Sequence, residues 1–466
     1  HCSQVKLSEK LSRHFYRVPS LMETTAPPPV PADAKPRKRS SVRHTRAIQR
    51  DRRQRPTSAP PAEAVAERLT EIVHPATLAQ VSYFHLLGLR ARVLSLPVMM
   101  GLVLGLLWRQ IGGVMELVRV VQRETLLWVP PLRDLTPSAL AQRFRSLPAE
   151  LFERVFNTLL PVVHARWQAR QRPLPPVIAW AQARFTAVLI ADGSTLDVLL
   201  RKIGLLQDAV EAPLAGRMMA LLDLTTRLPR RVWYDADPAG HDTRFWSRLH
   251  AAIPAGALLI VDRGFTDFAQ WAALSAQGIT WLTRAKTNLK YEVERTFVHT
   301  DSVRDRLIWV GRDATRQQVR LIEIQAHGTI YRYLTNALDL QDLPTAYIAA
   351  LYAQRWRVEE AFAIAKRLLG LAYFYGGAQN AVEIQLWATW ILYAVLVDLT
   401  DAVAEALGRP FADLSMEMVY RSLYFVVGAL ARDPTTDPVR YLAEEARDLG
   451  IIKRPRQSAP HRSPTP

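Results

Sequence analysis

Two short apolar runs, each ending on an aspartate, constrain the fold of this chain more than any other feature. Residues 185–191 (FTAVLIA) lead directly into Asp192, and residues 257–261 (ALLIV) lead directly into Asp262. Short apolar runs rich in β-branched residues are typical of strands that are buried on both faces of a sheet. The pattern therefore predicts two inner strands that each deliver a carboxylate at their carboxyl end.

The segment between these runs predicts how the two strands are arranged. Residues 217–224 and 231–234 are predicted to form two strands joined by a turn, and residues 242–250 a short helix capped by Asp242. A strand, a hairpin, a helix and a further strand in this order are typical of an RNase H-like sheet. The first and fourth strands of that fold lie side by side, so we expect the two aspartates to meet at one edge of the sheet.

One long helix is predicted for residues 343–370. Asp342 is suited to cap its N-terminus, Pro344 to occupy its first turn and Gly370 to end it. At about 100° per residue, four of its polar residues project from one arc of about 60°. Taken alone, this arc is equally consistent with a solvated helix face. The four residues are Tyr352, Arg355, Glu359 and Lys366.

The spacing of these four residues resembles a known motif. Tyr-x2-Arg-x3-Glu-x6-Lys is similar to the motif of the insertion-sequence-4 family of bacterial DDE transposases, and it is met at every position. The Asp-Arg-Gly-Phe sequence that begins at Asp262 resembles the family's Asp-x-Gly-Phe/Tyr motif. In organisation the resemblance extends over residues 85–400, and the basic N-terminus is not part of it.

The resemblance implies a fold class and a domain order. The fold class is α/β, an RNase H-like mixed sheet with flanking helices and a β-rich insertion, preceded by an all-α N-terminal domain. The expected segments are a disordered basic arm at residues 1–66, a helical DNA end-binding domain at 67–178, an RNase H-like catalytic core at 179–286 and 335–400, a β-rich insertion at 287–334, and C-terminal helices with a disordered tail at 401–466.

Three carboxylates in one poorly hydrated cleft repel one another, so they stay ionised only when cations lie between them. Hard oxygen ligands suit Mg²⁺ or Mn²⁺. We therefore expect Asp192, Asp262 and Glu359 to be both the catalytic residues and the ligands of two such ions, about 4 Å apart. Two ions in this arrangement can activate a water or a 3′-hydroxyl on one side of a phosphodiester and stabilise the leaving oxygen on the other.

Basic and aromatic neighbours are predicted to contact DNA. Arg355 and Lys366 are placed to hold phosphates beside the metals, Arg as a fork and Lys as a point charge. Tyr352 is suited to hydrogen-bond a terminal phosphate. Arg284 and Lys286 occupy alternate positions of a predicted strand and fit the family's basic strand, although a solvated strand face is nearly as good an interpretation.

Several other residues compete for these roles. Asp197, Asp223 and Asp235 are alternative carboxylates to Asp192, and Glu360 adjoins Glu359 but differs from it by about 100° in helical phase. The resemblance also implies a hairpin intermediate at the transposon end with a base flipped out of the duplex. Trp281 is a candidate to receive that base, although a core position is the more frequent role of tryptophan.

Composition narrows the partners. The chain has 60 Lys and Arg residues against 43 Asp and Glu residues, and the net charge of +17 favours a polyanion. Residues 35–55 carry ten basic residues against the single acid Asp51, which is typical of a solvated arm or of nonspecific phosphate attraction.

Cys2 is the only cysteine, so disulfide frameworks and zinc fingers are excluded. The most apolar run, residues 93–108, is interrupted by Pro97 and is shorter than the ~20 residues of a membrane span, so it predicts a buried helix.

These observations predict a cut-and-paste transposase of an insertion sequence. Its partners would be double-stranded DNA, as terminal inverted repeats and as target, and a second copy of the chain in the synaptic complex. We expect it in the bacterial cytoplasm at the nucleoid, without a membrane. An inactive, transposase-derived DNA-binding protein and a metal-dependent nuclease without strand transfer are the alternatives. Because the chain opens on His1 and not on methionine, we expect either a start upstream of the true one or a fragment.

Overall fold

The computed structural model describes most of the chain from residue 61 onward. The described residues are 61, 63–90, 92–196, 216–237, 241–326, 328–371 and 378–453. The basic segment at residues 35–55, the competing Asp197 and the tail beyond Lys453 lie outside the described residues.

A mixed sheet of nine strands forms the centre of the fold. Its strands lie in the order β3-β2-β1-β4-β5-β9-β8-β7-β6, and the predicted α/β class is confirmed. The strands are β1 (Val188–Thr195), β2 (Arg217–Asp223), β3 (Pro229–Asp235), β4 (Leu258–Val261), β5 (Thr280–Arg284), β6 (Glu292–His299), β7 (Val303–Val310), β8 (Gln317–Ala326) and β9 (Thr329–Thr335).

Strands β1 and β4 lie side by side and run parallel, as the sequence predicts for the first and fourth strands. Ala191 pairs with Val261, and the next residue of each chain segment is Asp192 or Asp262, so the two aspartates leave the paired region at the same level. The sequence predicts that the first strand ends at Asp192, and this prediction is wrong. The strand continues to Thr195 because β2 pairs antiparallel with it over that length.

Residues 287–334, predicted to form a β-rich insertion, contribute strands β6 to β9. These strands do not form a separate sheet, because β9 pairs antiparallel with β5 and extends the central one, with Leu282 opposite Thr335. Short apolar runs at residues 307–310, 319–324 and 330–334 predict β7, β8 and β9. No such run predicts β6, whose residues are mostly exposed.

Helices precede the sheet, cover both of its faces and follow it. They are α1 (Glu63–Leu78), α2 (Val81–Leu86), α3 (Leu96–Trp108), α4 (Val114–Val121), α5 (Pro137–Ser146), α6 (Glu150–Ala169), α7 (Pro176–Arg184), α8 (Trp246–Ala252), α9 (Phe268–Ala276), α10 (Thr345–Ala353), α11 (Trp356–Ala363), α12 (Gln379–Ala406), α13 (Met416–Arg432) and α14 (Pro438–Glu444). Short 3₁₀ turns at Asp242–Phe245 and Arg263–Phe265 precede α8 and α9.

Two apolar cores lie on opposite faces of the sheet. Val188 and Ile190 of β1 face a large helical layer built around α12, whereas Leu189 and Ala191 face α8 and α9. Because side chains alternate along a strand, the position of Asp192 faces the helical layer. Asp192, which lies within β1, is therefore directed towards the helices that follow the sheet.

Helix α12 is the most apolar long element of the described chain. Among the described residues it is the one helix long and apolar enough to cross a bilayer, but its apolar window is wholly buried. Helix α3 at Leu96–Trp108 is also buried along almost all of its length, as predicted for residues 93–108. Both helices thus have the burial expected of core elements.

The long helix predicted for residues 343–370 is interrupted. Helix α10 ends at Ala353, a turn at Gln354 and Arg355 follows, and the C-terminal part of the segment is a π-helix at Ile364–Leu368. The Arg355 amide donates to the Tyr352 carbonyl at 3.0 Å, three residues back, so the chain tightens at this point. Gly370 ends the segment at a positive φ of 81°. A uniform 100° per residue therefore does not describe this stretch.

Candidate active site

Three elements converge at the carboxyl ends of β1 and β4. Asp192 lies on β1, Asp262 follows β4 immediately, and Glu359 lies on α11, which packs against β1. The Asp262 carboxylate accepts a hydrogen bond from the Arg263 amide at 2.7 Å and so begins the 3₁₀ turn that follows. Sheet pairing fixes the two aspartates, and helix packing brings the glutamate to them.

Arg355 joins two of these acids. Its Nη1 donates to Asp192 Oδ2 at 3.1 Å and its Nη2 to Glu359 Oε1 at 2.9 Å. The turn before α11 directs the guanidinium across the face of β1, and the arginine side chain is only 9% exposed. Its Nε is buried without a hydrogen-bond acceptor in the structure. An unsatisfied buried donor of this kind is costly.

Burial sets the charge of Asp192. It raises the pKa of this carboxyl to about 7; the Arg355 guanidinium opposes the shift, and the negative charges of Asp242, Asp262 and Glu359 add to it. The carboxyl therefore keeps its proton to a higher pH than an ordinary aspartate does. The site carries more negative charge than its one buried arginine balances.

Two features decide how well the site fits divalent cations: the carboxylate oxygens that would bind them, and the Arg355 guanidinium that lies between two of these carboxylates. The predicted ligands are carboxylates, which suit Mg²⁺ or Mn²⁺, and the raised pKa of Asp192 indicates negative charge that a cation would balance. In the described part of the chain, however, no group of three or more His, Cys, Asp or Glu side chains is arranged to hold a metal ion. Arg355 itself supplies the positive charge between Asp192 and Glu359 in this arrangement.

A fourth acid, Asp242, lies at the site and was interpreted from the sequence as a helix cap. The N-cap position belongs to His241, and the Asp242 carboxylate instead accepts from Arg217 Nε at 2.5 Å. It also lies over Gly193, since a Cβ added there would be 1.8 Å from Asp242 Oδ1. The sequence signal for this contact is the glycine directly after Asp192, which lies inside β1.

Lys366 reaches the same strand from the π-helix. Its Nζ hydrogen-bonds the Ser194 hydroxyl, two residues after Asp192. Burial lowers the pKa of Lys366 to about 8, so the ammonium begins to lose its proton just above neutral pH. This lysine and Arg355 are the two cations that the segment from α10 to the π-helix directs towards β1.

Of the remaining predicted DNA contacts, Tyr352 interacts with Arg355 and lies close enough to Asp262 and Arg284 for their charges to act on its phenol. Tyr352 is buried, its ring centroid lies 5.4 Å from that of Tyr333, and burial raises the pKa of its phenol. The Arg284 guanidinium lies 5.4 Å from the centroid of the Tyr331 ring. Lys286 lies beyond the end of β5 and is exposed.

The described competing residues have other partners. Glu360 faces away and pairs with Arg357 at 2.9 Å. Asp223 accepts from the Thr225 and Thr226 amides in the turn after β2, and Asp235 accepts from the Asp237 amide. Trp281 is fully buried and stacks on Trp271 with ring centroids 4.4 Å apart, so its ring is a core element and not an exposed receptor for a base.

Comparisons with known proteins identify transposases as relatives of part of this chain. Residues 207–395 match the model of the transposase DDE domain family, and the match includes Asp262 and Glu359 but begins after Asp192. The candidate transposase y4zB of Sinorhizobium fredii is 31% identical over 204 residues, which are 40% of this chain and 54% of that protein.

Two further relatives carry transposase names. A candidate transposase for insertion sequence element IS4SA from Synechocystis sp. is 23% identical over 162 residues, 34% of this chain and 45% of the relative. A candidate transposase for insertion sequence element IS5377 from Geobacillus stearothermophilus is 30% identical over 155 residues, 32% of this chain and 40% of the relative. The chain thus spans about half the length of the curated relatives it matches.

Proposed function

We propose that this chain, of which residues 207–395 match the transposase DDE domain family, cuts and joins DNA strands as the transposase of an insertion sequence. One observation carries the proposal. Asp192 and Glu359 are held on a single guanidinium, that of Arg355, beside the strand end that delivers Asp262. An acidic cluster of this kind at the carboxyl ends of parallel strands suits reaction at a phosphodiester.

Asp192, Asp262 and Glu359 would hold two Mg²⁺ or Mn²⁺ ions. The ions would supply activation of a water or 3′-hydroxyl and stabilisation of the leaving oxygen. The raised pKa of Asp192 supports this role, because a buried carboxyl among like charges is a good ligand once a cation is available. Its proton must be released first, which makes ion binding depend on pH.

The other residues of the site position DNA. Arg355 orients two carboxylates at once through its planar fork, as a lysine with one point charge could not. Lys366 and Arg284 add positive charge on either side, and Lys286 lies further out. Burial raises the pKa of the Tyr352 phenol, which favours the protonated form that would donate to a terminal phosphate.

The finer steps follow from this assignment. The enzyme would excise the element by cut-and-paste transposition, with a hairpin intermediate at each end, in a homodimeric complex on paired inverted repeats. The helical region at residues 67–178 would recognise those repeats, and the basic arm at residues 1–66 would add nonspecific phosphate attraction. A protein acting on chromosomal DNA would work in the cytoplasm at the nucleoid.

One observation favours a second candidate, a DNA-binding protein without chemistry. The guanidinium of Arg355 occupies the space between Asp192 and Glu359 that a cation would share. If the arginine stayed there, the acids would serve only to hold it towards DNA. The two candidates differ in whether the bound DNA is cut and joined or stays unchanged.

Strand transfer tests the proposal. A labelled duplex ending in the inverted repeats that flank the coding sequence is incubated with protein, Mg²⁺ and a supercoiled target plasmid. The proposal predicts label covalently joined to the target. Nicked or shortened label without joining would identify a nuclease, and bound but unchanged label in both Mg²⁺ and Mn²⁺ would identify the DNA-binding alternative.

A further inference from the structure

A cleft of about 480 Å³ lies outside the carboxylate site, where the edge strand β3 meets α8. It is lined by three arginines, Arg230, Arg231 and Arg248, and by the partly exposed ring of Trp233. The strand supplies two of the arginines and the tryptophan, and the helix supplies the third. We refer to these four residues as the arginine cleft.

The arginines of the cleft have acids only at longer range, with Asp223 near Arg230 and Glu153 near Arg248. Among the described residues, none of the three has a carboxylate within ion-pairing distance, whereas the nearby Arg244 pairs with Asp237. Arg231 Nη1 donates only to the Arg230 carbonyl, at 3.1 Å. Three positive charges around one cavity repel one another, so the arrangement favours an anion that several guanidinium groups can share.

The tryptophan narrows the class of anion. An indole beside guanidinium groups offers a stacking surface for a flat ring next to donors for phosphate. Inorganic phosphate would use the arginines alone, and a fully paired duplex would not expose a base to the ring. A strand of DNA with unpaired bases uses both features.

The cleft lies at the level of the carboxylate site along the sheet. Arg231 pairs with Leu221 across β3 and β2, and Leu221 pairs with Ala191, the residue before Asp192. Two strand spacings, roughly 10 Å, separate the backbone positions of Arg231 and Ala191 within the sheet. By strand alternation Arg231 and Trp233 project on the α8 face, whereas Asp192 projects on the opposite face.

We propose that the arginine cleft binds an unpaired strand of DNA that leaves the carboxylate site and passes around the edge of the sheet. The phosphates contact Arg230, Arg231 and Arg248, and a base stacks on Trp233. This proposal depends on the proposed function only in identifying the bound DNA strand as one released at the carboxylate site. It assigns a binding role to the edge of the sheet that the reaction itself does not require.

Protection of the sheet edge is the competing explanation. Charged residues on an edge strand discourage pairing with other chains, and this would account for Arg230 and Arg231 on β3. It would not account for Arg248, which lies on a helix, or for the aromatic ring in the cavity. It predicts that removing the strand arginines lowers solubility and leaves DNA affinity unchanged.

Fluorescence anisotropy with a labelled oligothymidine in EDTA measures binding without cleavage. Arg231→Ala and Arg248→Ala are each expected to weaken binding about 3- to 10-fold and to reduce the log–log salt slope by about 0.7. Arg447→Ala is the matched control, because Arg447 is exposed and has no ion pair among the described residues. Trp233→Leu should weaken binding with no change in slope, and Trp233→Phe should restore it. Thermal unfolding of each variant verifies that it is folded.

The outcomes separate this proposal from the proposed function. If the wild-type protein binds neither oligothymidine nor duplex, the DNA substrate itself is wrong. If it binds and the Arg231 and Arg248 variants match the Arg447 control, the cleft proposal alone is overturned. Displacement of the labelled strand by micromolar thymidine monophosphate would also overturn it, because the cleft would then be a mononucleotide site.

Discussion

Arg355 Nη1 lies 3.1 Å from Asp192 Oδ2, a contact between residues 163 positions apart that joins the first strand of the sheet to the segment carrying Glu359. The same guanidinium donates to Glu359 at 2.9 Å. Neither acid has another positively charged group within ion-pairing distance among the described residues. One arginine therefore determines both the spacing of the two carboxylates and much of the charge balance at the site.

The first prediction concerns Arg355. Arg355→Ala should reduce Mg²⁺-dependent DNA cleavage by about 10²-fold, the usual effect of losing one oriented donor at a reacting centre. Because the guanidinium opposes the rise in the pKa of Asp192, its loss raises that pKa further, so the acid limb of the pH–rate profile should move to higher pH. Arg355→Lys should restore the pH profile better than the rate. Arg357→Ala, which removes a surface partner of Glu360, is the control, and an equal loss of rate there would contradict the assignment.

The second prediction concerns the stability cost of an ionised Asp192. Its pKa is about 7 when folded and 3.8 ordinarily, so the folded state binds the proton more tightly and ionisation destabilises the protein as pH rises from about 4 to about 7. Three pKa units at ~1.4 kcal/mol each give an upper limit of ~4 kcal/mol. Asp192→Asn removes this charge, so its free energy of unfolding should exceed that of the wild type by roughly 1–3 kcal/mol at pH 8 and by progressively less towards pH 4. Urea unfolding in EDTA measures this difference, and a pH-independent difference would refute it.

The third prediction concerns Gly193 and Asp242. A Cβ at Gly193 would lie 1.8 Å from Asp242 Oδ1, and Arg217 holds that carboxylate in place. Gly193→Ala should therefore cost about 1–3 kcal/mol by overpacking. The cost should nearly disappear in an Asp242→Ala background, so a double-mutant cycle should give a coupling of similar size. Equal costs in the two backgrounds would mean that the glycine is needed for another reason.

The fourth prediction concerns the ionisation of Lys366. Because burial lowers the pKa of this lysine to about 8, its charge is present below that pH and is lost above it. Affinity for duplex DNA should therefore fall as pH rises from 7 to 9, with proton uptake on binding. In Lys366→Arg the charge persists, so the decline in affinity should be absent. Ser194→Ala keeps the lysine ammonium, so its affinity should still decline as pH rises. A wild-type affinity that is constant over this range would remove Lys366 from the phosphate contacts.

The sequence predicted those parts of the site that depend on local pattern. The apolar runs located β1 and β4 because buried strands are nearly uniformly apolar, and their parallel pairing brought Asp192 and Asp262 to one level. The spacing of Arg355 and Glu359 was readable because both lie within one segment. Their assignment as functional residues depended on the family resemblance, because the helical arc alone did not distinguish a site from a solvated face.

Features that depend on tertiary contacts were not predictable. The break at Gln354 and Arg355 and the π-helix carrying Lys366 contradict the single helix predicted there, because packing against β1 decides the backbone and no proline or glycine marks the change. Asp242 was missed because its role depends on Gly193 and Arg217, which reach it only through the sheet. Strand β6 was missed because an exposed edge strand has no apolar pattern.

Cleavage of end-repeat DNA in Mg²⁺, run in parallel with binding in EDTA, tests most directly whether Asp192, Asp262 and Glu359 act as one centre. We predict that Asp192→Asn, Asp262→Asn and Glu359→Gln each bind the DNA within about threefold of wild type, because the phosphate-contacting cations remain, and that each loses cleavage. Glu360→Gln, the neighbouring acid that faces away, should cleave normally. Full cleavage by any one of the three variants would contradict the account.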